Sequence, residues 1–516
     1  MPTRRTRTAA SSTPVPTRSR PSSGSRTASA PEDPYHLAVV RYDRLGSLDA
    51  SFLHLERIET PMHVGALSVF EEASFFDASG RFRLAEVRRL VASRLHLIPR
   101  FRKRLMNVLL EQGRPIWVDD ERFDIAYHVR LTALPYPGGR EQLLALTARV
   151  QTQMLDRARP LWELWFVEGL EGGRVALIQK THHALVDGVS GVDVATVLLD
   201  FTPEPGFLEP PRWVMEPAPS PGRLLADSLY ERSTEPAEMV RSVRRAVRAP
   251  QQAMERATQL RRALSTLAER DTIVTPTSLN VSVGRNRRFE TVGVSLSDVT
   301  AIRDAFGGTV NDVVLAGVSG ALRRLFEARG EIVAGGHLRV LCPVSVRDDA
   351  ERMQLGNRVS AMFVDLPVGE ENPIARLAAV RATTHDLKDR EQAVGAAFLL
   401  DLSHYAAPTL LGLAARLVQR QPFVHLVVTN VPGPQVSLYC MGARMLEAYP
   451  VVPLSHNLSL GIAILSYCGQ LHFGLNVDPD AFGDLDVLSA ALEASFAELT
   501  KLAGDLDVET DERGTT

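Results

Sequence analysis

Apolar positions along this chain alternate between two periodicities, short continuous runs that suit buried strands and three- and four-residue spacings that suit helix faces. Val175 to Ile178 is such a run, and Val192, Ala195 and Leu199 beyond it share a helix face. Between them lies the polar turn Thr181-His182-His183-Ala184-Leu185-Val186-Asp187-Gly188. Upstream, a strand is predicted at Leu67 to Phe70, and Leu84, Val87, Val91, Leu95 and Ile98 predict an amphipathic helix stopped by Pro99. Phe123, Ile125, Tyr127 and Val129 alternate, which predicts a half-buried strand. A helix over Glu141 to Leu155 follows, then Pro160-Leu161-Trp162-Glu163 turns into a strand at Leu164 to Val167.

The second half repeats the mixture. Ser297 predicts a helix cap before Asp298 to Ala305, and Thr309 with Asp312 forms a capping-box pattern ahead of a long helix, Val310 to Ala328. Gly317, Gly320 and Ala321 in that helix allow close packing. Leu338 to Val346 and Val359 to Leu366 predict strands around a polar turn, Arg347 to Asn357, and Asn372-Pro373 starts another helix. Strands at Val424 to Thr429, Leu458 to Leu465 and Leu471 to Val477 and a helix over Leu485 to Leu502 complete the pattern. The fold class is therefore mixed α/β. The expected organisation is a basic tail (1–34), a first lobe (35–205), a proline-rich linker with basic helices (206–275), a second lobe (276–508) and a short tail (509–516).

Charge sharpens this division. Residues 1–31 carry six arginines and no acid, leaving 52 basic against 61 acidic residues, a mildly acidic body that argues against nucleic acid as the main partner. Residues 239–270 combine many arginines with two apolar stripes; helices of this kind lie on anionic membrane surfaces or bridge two lobes with a solvated face. No run of 18 apolar residues exists, so any membrane contact is expected to be peripheral. Cys342, Cys440 and Cys468 have an odd count and no metal-like spacing, which suits a reducing cytoplasm.

The chemistry concentrates at His182-His183-x-x-x-Asp187-Gly188. If the strand continued through both imidazoles they would point to opposite faces, so one serves a cavity while the other packs or holds the turn. The spacing lacks the one-face geometry of a metal-binding helix, and no metal is expected. A neutral imidazole with pKa near 6.5 can accept a hydroxyl proton. Asn311 and Asp312 occupy the first turn of a helix, where amides point outward and short polar side chains commonly serve as caps.

These residues resemble the signature of the CoA-dependent acyltransferase superfamily, which includes plant alcohol acyltransferases, chloramphenicol acetyltransferase and condensation domains. Ser47-Leu48-Asp49 with Phe52-Leu53, Pro61-Met62-His63-Val64-Gly65, Pro160-Leu161-Trp162 and Thr309-Val310-Asn311-Asp312 narrow the resemblance. With Pro343-Val344-Ser345-Val346-Arg347, Gly356-Asn357 and Thr429-Asn430-Val431-Pro432-Gly433-Pro434, they point to the bacterial wax ester synthase/diacylglycerol acyltransferase family. That resemblance implies two similar lobes flanking a tunnel, with acyl-CoA as co-substrate, diacylglycerol or a long-chain alcohol as acceptor, and no cofactor. It further implies His183 as general base, His182 in support, Asp187 paired with Arg347, Gly188 in the turn, and Asn311 as a candidate oxyanion donor. Pro160, Leu161, Trp162, Asp312, Thr429 and Asn430 become candidate substrate-binding residues, and a cytoplasmic location with contact to membrane or lipid inclusions is expected. A carrier-protein-dependent condensation enzyme, a thioesterase and a non-catalytic lipid-binding protein are the alternatives.

Overall fold

The computed structural model describes residues 42–185, 197–231, 274–345, 359–389 and 423–514. The Val192 to Ala195 helix face, Asp187, Gly188, Arg347, the polar turn as far as Asn357, the basic helices of 239–270 and the tail 1–34 lie outside the described residues.

The strands in chain order are β1 (His63–Glu71), β2 (Lys103–Met106), β3 (Ile116–Asp119), β4 (Val129–Ala133), β5 (Trp162–Leu170), β6 (Arg174–His182) and β7 (Arg288–Ser295). They continue as β8 (Leu338–Ser345), β9 (Val359–Leu366), β10 (Leu426–Val431), β11 (Tyr439–Cys440), β12 (Ala443–Val451), β13 (Leu460–Tyr467) and β14 (Gln470–Val477). The helices are α1 (Ser47–Leu55), α2 (Leu84–Arg94), α3 (Ile125–His128), α4 (Arg140–Thr152), α5 (221–231), α6 (Leu296–Phe306), α7 (Val310–Ala328), α8 (Pro373–Asp389) and α9 (Leu485–Gly514). Two six-stranded sheets result, in the orders β11-β12-β1-β6-β5-β4 and β7-β14-β13-β10-β8-β9, with β2 and β3 forming a small ribbon.

The first sheet is not assembled from the first half alone. β12, from residues 443–451, pairs antiparallel with β1, opposing Gly65 with Val451 and Leu67 with Tyr449. β14 then approaches β12 from the second sheet: Asn476 donates its side-chain amide to the Val452 carbonyl at 2.8 Å, and Tyr449 meets His472 edge to face at 4.9 Å. These contacts explain why β14 is buried on both faces from Leu471 to Val477.

In the second sheet the core is closed by α7 and α9. The Thr309 hydroxyl accepts from the Asp312 N–H while the Asp312 carboxylate accepts from the Thr309 N–H, the reciprocal cap that the sequence pattern predicts. A Cβ at Gly317 would overlap the Phe496 ring, and one at Gly320 would overlap the Ser495 hydroxyl, so glycine permits α7 and α9 to meet at this separation.

Several local expectations are corrected. Residues 125–128 form a helical turn rather than a strand, because the Asp124 carboxylate caps it by accepting from the Ala126 N–H; only Val129 onward is extended. The α6 cap is Ser295, whose hydroxyl accepts from Asp298 N–H, and Ser297 instead bonds to Ser295 at 2.6 Å. Helix α2 ends at Arg94 and passes into two short 3-10 turns rather than running to Pro99. Among the described residues no single helix is long and apolar enough to cross a membrane.

Candidate active site

β6 ends at His182, and His183 opens a 3-10 turn, His183–Leu185. The change of backbone at this point, rather than strand alternation, separates the two imidazoles. Main-chain bonds hold the junction on both sides: His182 N–H donates to the Leu161 carbonyl at 3.0 Å and His183 N–H to the Met62 carbonyl at 2.8 Å. Gly65 admits this register, since a side chain there would collide with the Gln179 carbonyl and the Gln151 amide.

The His183 ring stacks on Phe52 of α1, with centroids 3.9 Å apart and planes 24° from parallel. Burial lowers its pKa to about 4, although its own carbonyl favours the protonated ring, so the imidazole is neutral at physiological pH. Its Nδ1 has no hydrogen-bond partner of good geometry among the described residues.

His182 is turned the other way and is almost completely buried. Its Nδ1 accepts from the Ala184 N–H at 3.0 Å, which places the ring proton on Nε2. Nε2 lies 3.4 Å from Oε2 of Glu56, a carboxylate whose side chain is 1% exposed. Opposite His182 across the sheet stands His63, and its Nε2 lies 3.4 Å from Oε1 of the same carboxylate. Burial alone would raise the Glu56 pKa, but His182 and Arg157 hold it down to about 2. Burial and the nearby Lys180 cation lower His63 to about 3, and burial lowers Lys180 to about 8. Lys180, on the same face of β6 as His182, donates to the Gln153 carbonyl.

The remaining candidates separate into three groups. Pro160, Leu161 and Trp162 belong to the core: Leu161 is fully buried, and Trp162 stacks on His128 at 4.4 Å and donates Nε1–H to the Phe101 carbonyl at 2.8 Å. Their contribution to the site is the Leu161 carbonyl that fixes His182. Asp312 is occupied by capping, with Oδ2 accepting from Thr309 and Oδ1 from the Thr384 hydroxyl at 2.6 Å. Asn311 and Asn430, 119 residues apart, are joined by a 3.3 Å bond from the Asn430 amide to the Asn311 carbonyl oxygen; Thr429 precedes Asn430 on β10. Glu56 and Lys180 stand outside every motif quoted from the sequence, and Phe52 enters there only as part of the Ser47 to Leu53 motif, with no role in the site. The one available signal was polar residues in otherwise apolar stretches.

The fold first defines a class. It matches the starter condensation domain of rhizomide synthetase with a TM-score of 0.55, covering 90% of this chain and 95% of that domain; at 14% identity this is a likeness of fold alone. A more specific match is the wax ester synthase/diacylglycerol acyltransferase from Marinobacter aquaeolei VT8, with a TM-score of 0.63 and 29% identity over 89% of this chain and all of the other. The wax ester synthase/diacylglycerol acyltransferase catalytic-domain family matches residues 45–314, and the corresponding C-terminal-domain family matches residues 355–500. Two Mycobacterium tuberculosis proteins, named "Probable diacyglycerol O-acyltransferase tgs1" and "tgs2", are 32% and 34% identical. The alignments cover 89% and 88% of this chain and 96% and 98% of those proteins. The chain belongs to the wax ester synthase/diacylglycerol acyltransferase family and is an acyltransferase.

Proposed function

We propose that the chain transfers a long-chain acyl group from acyl-CoA to the hydroxyl of diacylglycerol or a long-chain alcohol, with His183 as general base. The observation that carries this is a neutral imidazole, fixed at the end of β6 against Phe52, in a chain of this family. His183 takes the hydroxyl proton as the alcohol oxygen attacks the thioester carbonyl, a step worth typically ~10²- to 10⁴-fold in rate. The tetrahedral intermediate collapses with cleavage of the carbon–sulfur bond, and the proton passes from His183 to the departing CoA thiolate. Ester and free CoA are the products, and no acyl-enzyme forms.

Asn311 is the candidate donor to the oxyanion. The bond from Asn430 occupies its carbonyl end and leaves the NH2 end to serve another acceptor. Asp187 and Arg347 complete the reading as an ion pair across the turn that Gly188 permits, and Thr429 and Asn430 as neighbours of the substrate. The two lobes, 35–205 and 276–508, flank a tunnel through which the two substrates reach His183 from opposite ends. No cofactor is used. The enzyme works in the cytoplasm, in peripheral contact with membrane or lipid inclusions, through the basic segment 239–270.

The test is CoA release by purified protein given palmitoyl-CoA with dioleoylglycerol or hexadecanol, alongside His183→Ala. Acceptor-dependent release abolished by the substitution supports the reading, and the ratio of the two rates gives the acceptor preference. Equal release from His183→Ala removes His183 as base. Release without transfer to either acceptor identifies a thioesterase.

A further inference from the structure

We propose that Glu56 is a positioning residue for His183, acting through both peptide amides that flank it; the inference rests on His183 being the general base. Glu56 follows α1 and caps it, its N–H donating to the Phe52 carbonyl at 2.9 Å, so the residue that stacks on His183 and the carboxylate behind it are one helical turn apart. Two chains of polar contacts leave that carboxylate, one made of hydrogen bonds and one that begins with a charge contact to His182. Through Oε1, Glu56 accepts from the Met62 N–H at 3.1 Å, and the Met62 carbonyl accepts from the His183 N–H at 2.8 Å. Through Oε2 it faces His182 Nε2 at 3.4 Å, and His182 Nδ1 accepts from the Ala184 N–H at 3.0 Å. The amides on either side of the His183 Cα are therefore each tied to one oxygen of Glu56 through a single intermediary residue.

The negative charge is what makes the second chain work. An imidazole accepts at Nδ1 only while its other nitrogen carries the proton, and a carboxylate facing Nε2 favours that tautomer. This is the same physical device by which a carboxylate orients the histidine of a hydrolase triad, moved here by one residue along the backbone. Arg157 donates to Oε2 at 2.8 Å and to the Leu53 carbonyl at 3.1 Å, anchoring the carboxylate to the end of α1. A glutamine cannot substitute. Its single oxygen can serve either the Met62 N–H or the His182 Nε2–H, and its NH2 group then confronts the other donor. One of the two chains must break, or His182 must take the opposite tautomer and release the Ala184 N–H.

The experiment compares wild type, Glu56→Gln and His183→Ala in steady-state acyl transfer, and reads the His182 tautomer in wild type by 15N chemical shifts of histidine-labelled protein, assigned by loss of the signal in His182→Gln. Displacing the base by about 1 Å costs on the order of 10²-fold in rate, so Glu56→Gln is expected to lower kcat by about 10- to 100-fold. KM for acyl-CoA is expected to stay within about threefold of wild type, since the substrate contacts are intact. Wild-type His182 is expected as the Nε2–H tautomer. A Glu56→Gln enzyme with wild-type kcat beside an inactive His183→Ala overturns the positioning role while leaving the base intact. An active His183→Ala overturns the base itself. Should Glu56→Gln fail to fold, the wild-type spectrum still decides: an Nδ1–H tautomer at His182 rules the mechanism out.

Discussion

The Phe52 ring lies face to face with the His183 imidazole, 3.9 Å between centroids, and couples the first described helix to the turn at the end of β6. Stacked aromatic pairs contribute about 0.5–1.5 kcal/mol beyond their buried area. Phe52→Leu keeps an apolar neighbour but removes the flat surface. It is expected to lower kcat by about 3- to 10-fold with little change in KM, since each 1.4 kcal/mol corresponds to about tenfold in rate. Steady-state kinetics with a saturating acceptor check this, and an unchanged kcat would show that the stack does not orient the base.

The pH–rate profile follows from the burial of His183. A general base must be unprotonated, and burial lowers this one from 6.5 to about 4. Activity is therefore expected to be level from pH 8 down past 6, with the acid limb of kcat/KM well below 6.5. The measurement is kcat/KM across overlapping buffers, each point paired with a check that the protein remains folded. A limb at 6.5 would mean that His183 is solvated in the working enzyme.

Folding stability has its own acid dependence, carried by histidines buried as neutral rings. His63 is lowered to about 3 by burial and by Lys180, and His472 to about 4 by burial. In the unfolded chain these groups take up protons near 6.5, while the folded protein binds them only at lower pH. Stability is complete above 6.5 and is lost progressively as pH falls towards 4. Both ring nitrogens of His472 lack partners among the described residues, so His472→Phe is expected to hold Tm or raise it at pH 7 and to flatten its decline between pH 7 and 5. Thermal unfolding at several pH values tests both statements; a steeper decline in the variant would contradict the assignment.

Asp312 and Asn311 are adjacent in sequence but are expected to fail differently when changed. Asp312→Ala removes the cap of α7 and the bond from Thr384, and caps of this kind are worth about 0.5–2 kcal/mol. It should lower the urea midpoint, with kinetics of the remaining folded enzyme near normal. Asn311→Ala should leave the midpoint unchanged within error and lower kcat by about 10²- to 10³-fold if its amide meets the oxyanion. Asn430→Ala, which releases the Asn311 carbonyl, should give a smaller loss that is not additive with Asn311→Ala. Additive losses would show that the two amides act separately.

What the sequence determined by itself is whatever depends on neighbours a few residues apart. The start of α7 follows from Thr309 and Asp312, three positions apart, and β9 runs over the residues 359–366 that its apolar pattern marks. The His182-His183 pair announced itself for the same reason, as rare residue types at the end of an apolar run. Even at this range a cap can outweigh a pattern: the alternation from Phe123 to Val129 suggested a strand, and the Asp124 side chain made its middle helical. Tertiary structure decided everything that requires distant segments to meet. It placed β12 beside β1 although some 370 residues separate them, a pairing that local periodicity does not encode. It brought Asn430 to Asn311, and it closed Glu56 against His182 and Arg157, where a carboxylate that would be costly to bury alone is tolerable because it faces their N–H groups.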